Sequence, residues 1–173
     1  MNLSPPKPCG PCGLCCKLPE IEVLGKPHGK WCETYVEGQG CTIRAKRPQV
    51  CASFQCLWTL DPVLGERWRP DKAKFVLISR QHQLLVECDP DCPDAWKAEP
   101  YYSHIKAWSR RESRQFIAVL VRSRGCMIYV FPEADIDLGP VRPGALVDSG
   151  YEINDGLRVP YARYVEPAPG RLN

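Results

Sequence analysis

The chain predicts an α+β fold: a loop-rich cysteine module packed on a small, mainly antiparallel sheet with one or two helices. Three observations predict it. Eight of the eleven cysteines fall within the first 56 residues. Beyond residue 70, three pairs of apolar segments flank short polar turns, the pattern of β-hairpins. Between the first two pairs lies one segment with helical rather than strand periodicity. A length of 173 residues suits one domain, or one domain with a small added module. The expected division is a cysteine module over residues 1–60, an α+β body over 61–166 and a tail over 167–173.

The opening is rich in chain breakers. Pro5, Pro6, Pro8, Gly10, Pro11 and Gly13 exclude a regular helix, so CGPCGLCC (Cys9 to Cys16) must sit on looping backbone. Next, WCETYV and CTIR flank EGQG, which predicts a short hairpin that brings Cys32 and Cys41 together. In RPQVCASFQCLWTL, Pro48 suits a first helical turn, and Val50, Phe54, Leu57 and Trp58 come at helical spacing. Cys51 and Cys56 would then point roughly 140° apart on a straight helix, given about 100° per residue. They serve different sites, or the helix ends between them.

In the body, KFVLISR with QLLVECD forms the first predicted hairpin. FIAVLV with CMIYVF, around RSRG, forms the second. GALVDSGYEI with RVPYARYV, around NDG, forms the third. EPYYSHIKAWSRRES carries Tyr101, Ile105 and Trp108 at i, i+4 and i+7, one amphipathic helix packing on the sheet. The final EPAPGRLN reads as a frayed tail.

Composition narrows the function. Charged residues are 25% and hydrophobic residues 44%, as in an ordinary folded protein. No apolar run approaches the roughly 18 residues of a membrane span, and MNLSPPKPCG has no apolar core of the kind a secretory signal needs. A cytoplasmic location is the expectation, with no membrane partner. The net charge of +3 resides entirely in residues 1–56, beside the cysteines. Lys and Arg there would offset the negative charge of a multi-thiolate site. A nucleic-acid partner is not favoured, because no dense basic run or aromatic ladder accompanies the charge.

In a reducing compartment, such crowding of cysteines reads as metal binding rather than disulfides. Thiolates suit zinc and iron–sulfur clusters above other metals. Cys9, Cys12 and Cys15 match the C-x2-C-x2-C part of bacterial ferredoxins, although the cysteine–proline ending is missing from this segment. Two four-cysteine zinc sites would also use eight ligands. The ligand candidates are Cys9, Cys12, Cys15, Cys16, Cys32, Cys41, Cys51 and Cys56, with an iron–sulfur cluster favoured and zinc the alternative. Adjacent side chains in extended backbone face opposite ways, so Cys15 and Cys16 are expected to serve different sites, or one of them to be a buried thiol. Cys12-Gly-Leu-Cys15 as a redox dithiol is disfavoured, since no strand precedes it.

Other candidates are weaker. His28 is a poor ligand candidate. Cys88 and Cys92 read as structural, with a third ligand pair the minor option, and Cys126 as core. His82 and His104 read as exposed or capping residues. Asp135 and Asp137 are explained by a turn between strands. Arg47 is a candidate donor to the sulfurs, against a plain role as a surface charge. Trp31, Phe54 and Trp58 are candidates to shield the site or to form the module's small core.

The order C-x2-C-x2-C-C, then Trp31-Cys32, Gly40-Cys41 and Arg47-Pro48-x-x-Cys51-x-x-Phe54-x-Cys56-x-Trp58, resembles the cysteine-cluster proteins described as zinc- or iron-chelating domains. The resemblance covers about the first third of the chain. DCPDAWKAEPYYSHIKAW is similar to the segment after the cysteines in some bacterial members. The resemblance implies metal binding and little more, since most members have no assigned activity. The functional expectation is electron transfer, with a protein redox partner, or redox or iron sensing. The alternative is a structural zinc module for protein interaction. A related cysteine cluster occurs in flagellin lysine methylases, which makes an accessory role in methyl transfer a third expectation. No glycine-rich loop that would cradle S-adenosylmethionine comes after a strand here.

Overall fold

The computed structural model describes residues 7–110 and 116–166. The fold is α+β, with a mainly antiparallel sheet and few, short helices. The first strands, β1 (Tyr35–Val36) and β2 (Gly40–Cys41), form the predicted small hairpin, with Tyr35 opposite Cys41. The Arg-Pro segment is not one helix. It forms two single turns, α1 (Gln49–Ala52) and α2 (Leu57–Leu60), with Ser53 to Gln55 between them. The helical spacing of its apolar residues therefore reflects two turns docked separately. A third turn, α3 (Pro70–Ala73), opens on Pro70, whose missing N–H would have no helical partner there anyway.

The central sheet has five strands in the order β3-β4-β5-β6-β7. Strands β3 (Phe75–Arg80) and β4 (Gln83–Cys88) turn at Gln81 and His82, both of positive φ. A longer connection carrying α4 (Tyr101–Trp108) then leads to β5 (Ala118–Ser123), which runs parallel to β4. Strand β6 (Cys126–Val130) returns through Arg124 and Gly125, again of positive φ. Two central residues of positive φ give a type I′ turn, which matches the twist of the flanking strands. The edge strand β7 (Asp135–Pro140) takes up the DIDLG part of the PEADIDLG tract, for which the sequence predicts a turn. Its ladder partners across β6 pull this polar sequence into extended backbone, and Asp135 binds Lys106 and Tyr102. Strands β8 (Leu146–Asn154) and β9 (Leu157–Val165) form a separate hairpin, as predicted. The expected tail over 167–173 lies outside the described residues.

Alternation gives the central sheet two different faces. Phe75, Leu77, Leu84, Val86, Cys88, Val119 and Val121 point one way, all essentially buried. Trp68, Tyr101 and Ile105 cover this face. Trp68 is the hub, with ring centroids 6.1 Å from Phe75, 5.0 Å from Tyr101 and 5.1 Å from Trp108. Burying such side chains contributes roughly 1.5–3 kcal/mol each, which makes this the chain's main core. Val76, Ile78, Arg80, Leu85, Glu87 and Arg122 lie on the opposite face, toward the cysteines. No helix among the described residues is long and apolar enough to cross a membrane.

Candidate metal centre

Residues 9–16 hold their shape by short-range hydrogen bonds. The Cys12 N–H donates to the Cys9 carbonyl at 3.2 Å, around Gly10 with φ +57°. Leu14–Cys16 forms a 3-10 turn in which the Cys16 N–H donates to the Gly13 carbonyl at 2.7 Å. Leu14 and Leu18 are buried in the main core and anchor this turn. Gly13 is needed for packing, since a Cβ there would lie 1.9 Å from the Tyr35 ring.

The 3-10 turn at Leu14–Cys16 replaces the extended backbone presumed for the doubled cysteine. The actual turn leaves the two sulfurs close enough for the Cys15 thiol to hydrogen-bond Cys16. That bond lowers Cys16 to about 7, with Lys26 and Arg47 adding to the effect against the cost of burial. The same bond, together with burial, pushes Cys15 well above the ordinary thiol range.

The remaining cysteines arrive from three directions. Cys32 is buried, and its N–H donates to the Cys16 carbonyl at 2.9 Å. Its sulfur lies 3.2 Å from Thr34 Oγ1, which is 4.0 Å from the Cys41 sulfur across the predicted hairpin. Cys51 comes from α1. Cys56 immediately precedes α2, so the helix does end between them. The Lys7 N–H donates to the Thr59 carbonyl at 2.8 Å, which lays the chain entering Cys9 alongside α2.

Seven of the eight candidates, all but Cys56, line one cavity of about 410 Å³ between this segment and the sheet. An adjoining cavity of about 180 Å³ is lined by Cys9, Cys12, Cys15, Cys51 and Cys56. All eight are free thiols. Backbone N–H groups point at two of the sulfurs: those of Leu14 and Asp71 at Cys12, and those of Thr59 and Trp58 at Cys56. Such donors favour a thiolate, the form that binds metal. They are opposed here by burial, which raises both thiols overall. Burial also raises Cys51.

The donor set therefore has the chemistry of a thiolate metal site. Its geometry is open. No group of three or more His, Cys, Asp or Glu side chains among the described residues is placed to hold a single metal ion.

Two lysines unmarked by the sequence organise the site. Lys26 is buried, and its ammonium donates to the carbonyls of Lys17 at 2.6 Å, Pro27 at 3.0 Å and Pro19. Burial lowers its pKa, while the thiols of Cys32, Cys16 and Cys51 favour its charged form. Lys17, next to Cys16, reaches Asp89 and Asp91 at 2.5 Å each, tying the cysteine segment to the end of β4. Nothing in the sequence separates these two from surface lysines, because their partners are backbone carbonyls and residues some 70 positions away.

The other candidates separate from the site. His28 is committed to Glu87 at 2.6 Å. Cys88 is buried in the main core, where burial raises its thiol pKa strongly. Cys92 sits in the turn after β4, its N–H bonded to the Asp89 carbonyl. Cys126 is half-buried at the start of β6 and lies outside the core, because it stands at the hairpin turn. His82 is exposed in its turn, and His104 packs on Trp68.

Of the aromatic candidates, Trp58 is buried and Phe54 lines both cavities, but Trp31 is 46% exposed and stacks on Tyr35 instead. Arg47 lines both cavities, with its guanidinium 3.5 Å from the Ala52 carbonyl. No family model matches the chain, and no curated protein or solved structure matches it either.

Proposed function

We propose that this protein binds metal through Cys9, Cys12, Cys15, Cys16, Cys32, Cys41, Cys51 and Cys56, as an iron–sulfur protein of the cytoplasm. Its role is electron transfer to a protein partner, or sensing of oxidants or iron. One observation carries this reading: eight free thiols from separate turns converge on two adjoining cavities. A cluster offers ligand positions on several sides, which suits thiols that arrive from separate turns.

When bound, a cluster would supply one-electron chemistry, with its potential set by hydrogen bonds and charge around the sulfurs. Lys26 and Arg47 place positive charge beside Cys16, and both would favour the reduced, more negative state. Phe54, Ile78 and Leu85 line the larger cavity and restrict water.

Anaerobic purification and then visible spectroscopy test the proposal. A brown protein containing iron and acid-labile sulfide, and bleached by dithionite, is expected. A colourless protein with stoichiometric zinc would replace it with the structural zinc module. A protein binding neither metal would overturn metal binding altogether.

A further inference from the structure

We propose that the larger cavity also binds a small organic acid, with its apolar body on the sheet wall and its carboxylate or phosphate held by Arg122. This inference goes beyond metal binding and stands whether or not the cysteines hold metal.

The cavity has two unlike walls. One is the cysteine segment. The other is the sheet, which contributes Ile78, Arg80, Leu85, Glu87 and Arg122 and no cysteine. Strand register explains that set. Ile78 pairs with Leu85 across β3 and β4, and Glu87 pairs with Arg122 across β4 and β5. Residues two apart on a strand share a face. The apolar pair Ile78–Leu85 therefore lies between Arg80 on one side and the Glu87–Arg122 pair on the other.

Arg122 is the group that calls for a ligand. Its Nε is buried, yet it has no hydrogen-bond partner among the described residues. The nearby Glu87 carboxylate is 3.6 Å away, beyond good hydrogen-bond reach, and is committed to His28 at 2.6 Å. A buried guanidinium N–H needs an acceptor. The oxygens of a carboxylate or a phosphate match the guanidinium fork better than a neutral acceptor does.

Charge and size point the same way. Arg44, Arg47, Arg80 and Arg122 line the cavity against only two carboxylates, Glu20 and Glu87. Arg44 and Arg80 are exposed and have no ion pair among the described residues, so they leave positive potential at the mouth that draws anions in. The volume of about 410 Å³ falls within the range of small-molecule sites. The adjoining cavity of about 180 Å³ falls below it. Sites of this kind are mostly apolar, with a few polar groups that fix orientation. Here Ile78 and Leu85 are the apolar floor, and Arg122 is the fixing group.

Calorimetric titration of the anaerobically purified protein with benzoate, phenyl phosphate, benzamide and inorganic phosphate tests the proposal. Benzoate or phenyl phosphate should bind, and the tighter of the two tells a carboxylic from a phosphoric acid. Benzamide lacks the charge and inorganic phosphate lacks the apolar body, so each should bind at least about tenfold more weakly than its charged aryl counterpart. Arg122→Gln should weaken the anion about tenfold or more. Arg80→Gln, at an exposed position, should weaken it about two- to fivefold. Arg163→Gln, in the separate β8–β9 hairpin, should leave binding unchanged.

A second readout needs no variant. In the wild-type protein, the bound anion should shield Arg122 from phenylglyoxal, mapped by mass spectrometry, and leave Arg163 as reactive as before. If neither aryl anion binds, if benzamide binds as tightly as benzoate, if inorganic phosphate binds as tightly as phenyl phosphate, or if Arg122 gains no shielding at saturation, the assignment is wrong. A protein that binds the anion but no metal overturns only the metal proposal. A protein that holds metal but binds neither aryl anion overturns only this one.

Discussion

The two halves of this molecule are built by different means. In the body, the ladders of β3 to β6 enclose a continuous apolar face, and Trp68 and α4 cover it. Around the cysteines, the regular elements are single turns and two-residue strands, joined by isolated hydrogen bonds and by two buried lysines. The body buries enough hydrocarbon to define itself. The cysteine segment borrows from that core through Leu14 and Leu18 and leaves its sulfurs around open space. This difference teaches where stability and function should come apart: core changes should act on the whole fold, and cysteine changes mainly on metal.

The largest effect should come from the body. Phe75→Ala removes a fully buried ring under Trp68 and Tyr101, and is expected to cost about 3–5 kcal/mol in urea unfolding. The metal content per folded molecule should stay unchanged. A loss of metal at native-like stability would mean that the halves are not separable in this way.

Next is the bridge between them. Asp89→Ala leaves the Lys17 ammonium, whose side chain is only 6% exposed, with the exposed Asp91 as its remaining carboxylate, and should destabilise by about 2–3 kcal/mol. Replacing both partners with apolar residues should recover much of that loss. A double variant as unstable as the single one would show that the pair does not act as a unit.

A smaller effect is expected at Gly13→Ala, about 1–3 kcal/mol, because the added methyl meets the Tyr35 ring. Adding Tyr35→Ala should relieve the clash, and thermal unfolding of the two variants measures it.

The smallest effect is chemical. In chelator-treated protein, Cys16 should be the first thiol alkylated as pH rises through about 7, while burial and the bond to its neighbour hold Cys15 protonated. A pH series read by mass spectrometry checks this order.

Legibility in the sequence tracks the same divide. The hairpins of the body and the helix at Tyr101–Trp108 are readable because periodicity and turn residues are local signals. Strand β7 is not, since its aspartates are polar and only pairing with β6 makes them extended. The candidate ligands are readable as residue types, and the hairpin pattern correctly places Cys32 near Cys41. The relation of Cys15 to Cys16 is not readable, because Leu14 and Leu18, buried in a core built from distant residues, hold a 3-10 turn where the sequence suggests extended backbone. Lys26 and Lys17 are invisible for a similar reason, as their roles depend on carbonyls and carboxylates that the fold brings in.

Hydrogen exchange before and after metal removal tests most directly whether metal closes the cysteine segment. In the purified metal-loaded protein, removing the metal with a chelator should strip protection from the amides of Cys12, Cys16 and Cys32. Those of Val86 and Val121, in the buried sheet, should keep theirs. Unchanged protection around the cysteines after confirmed metal loss would contradict the proposal that metal completes this half of the molecule.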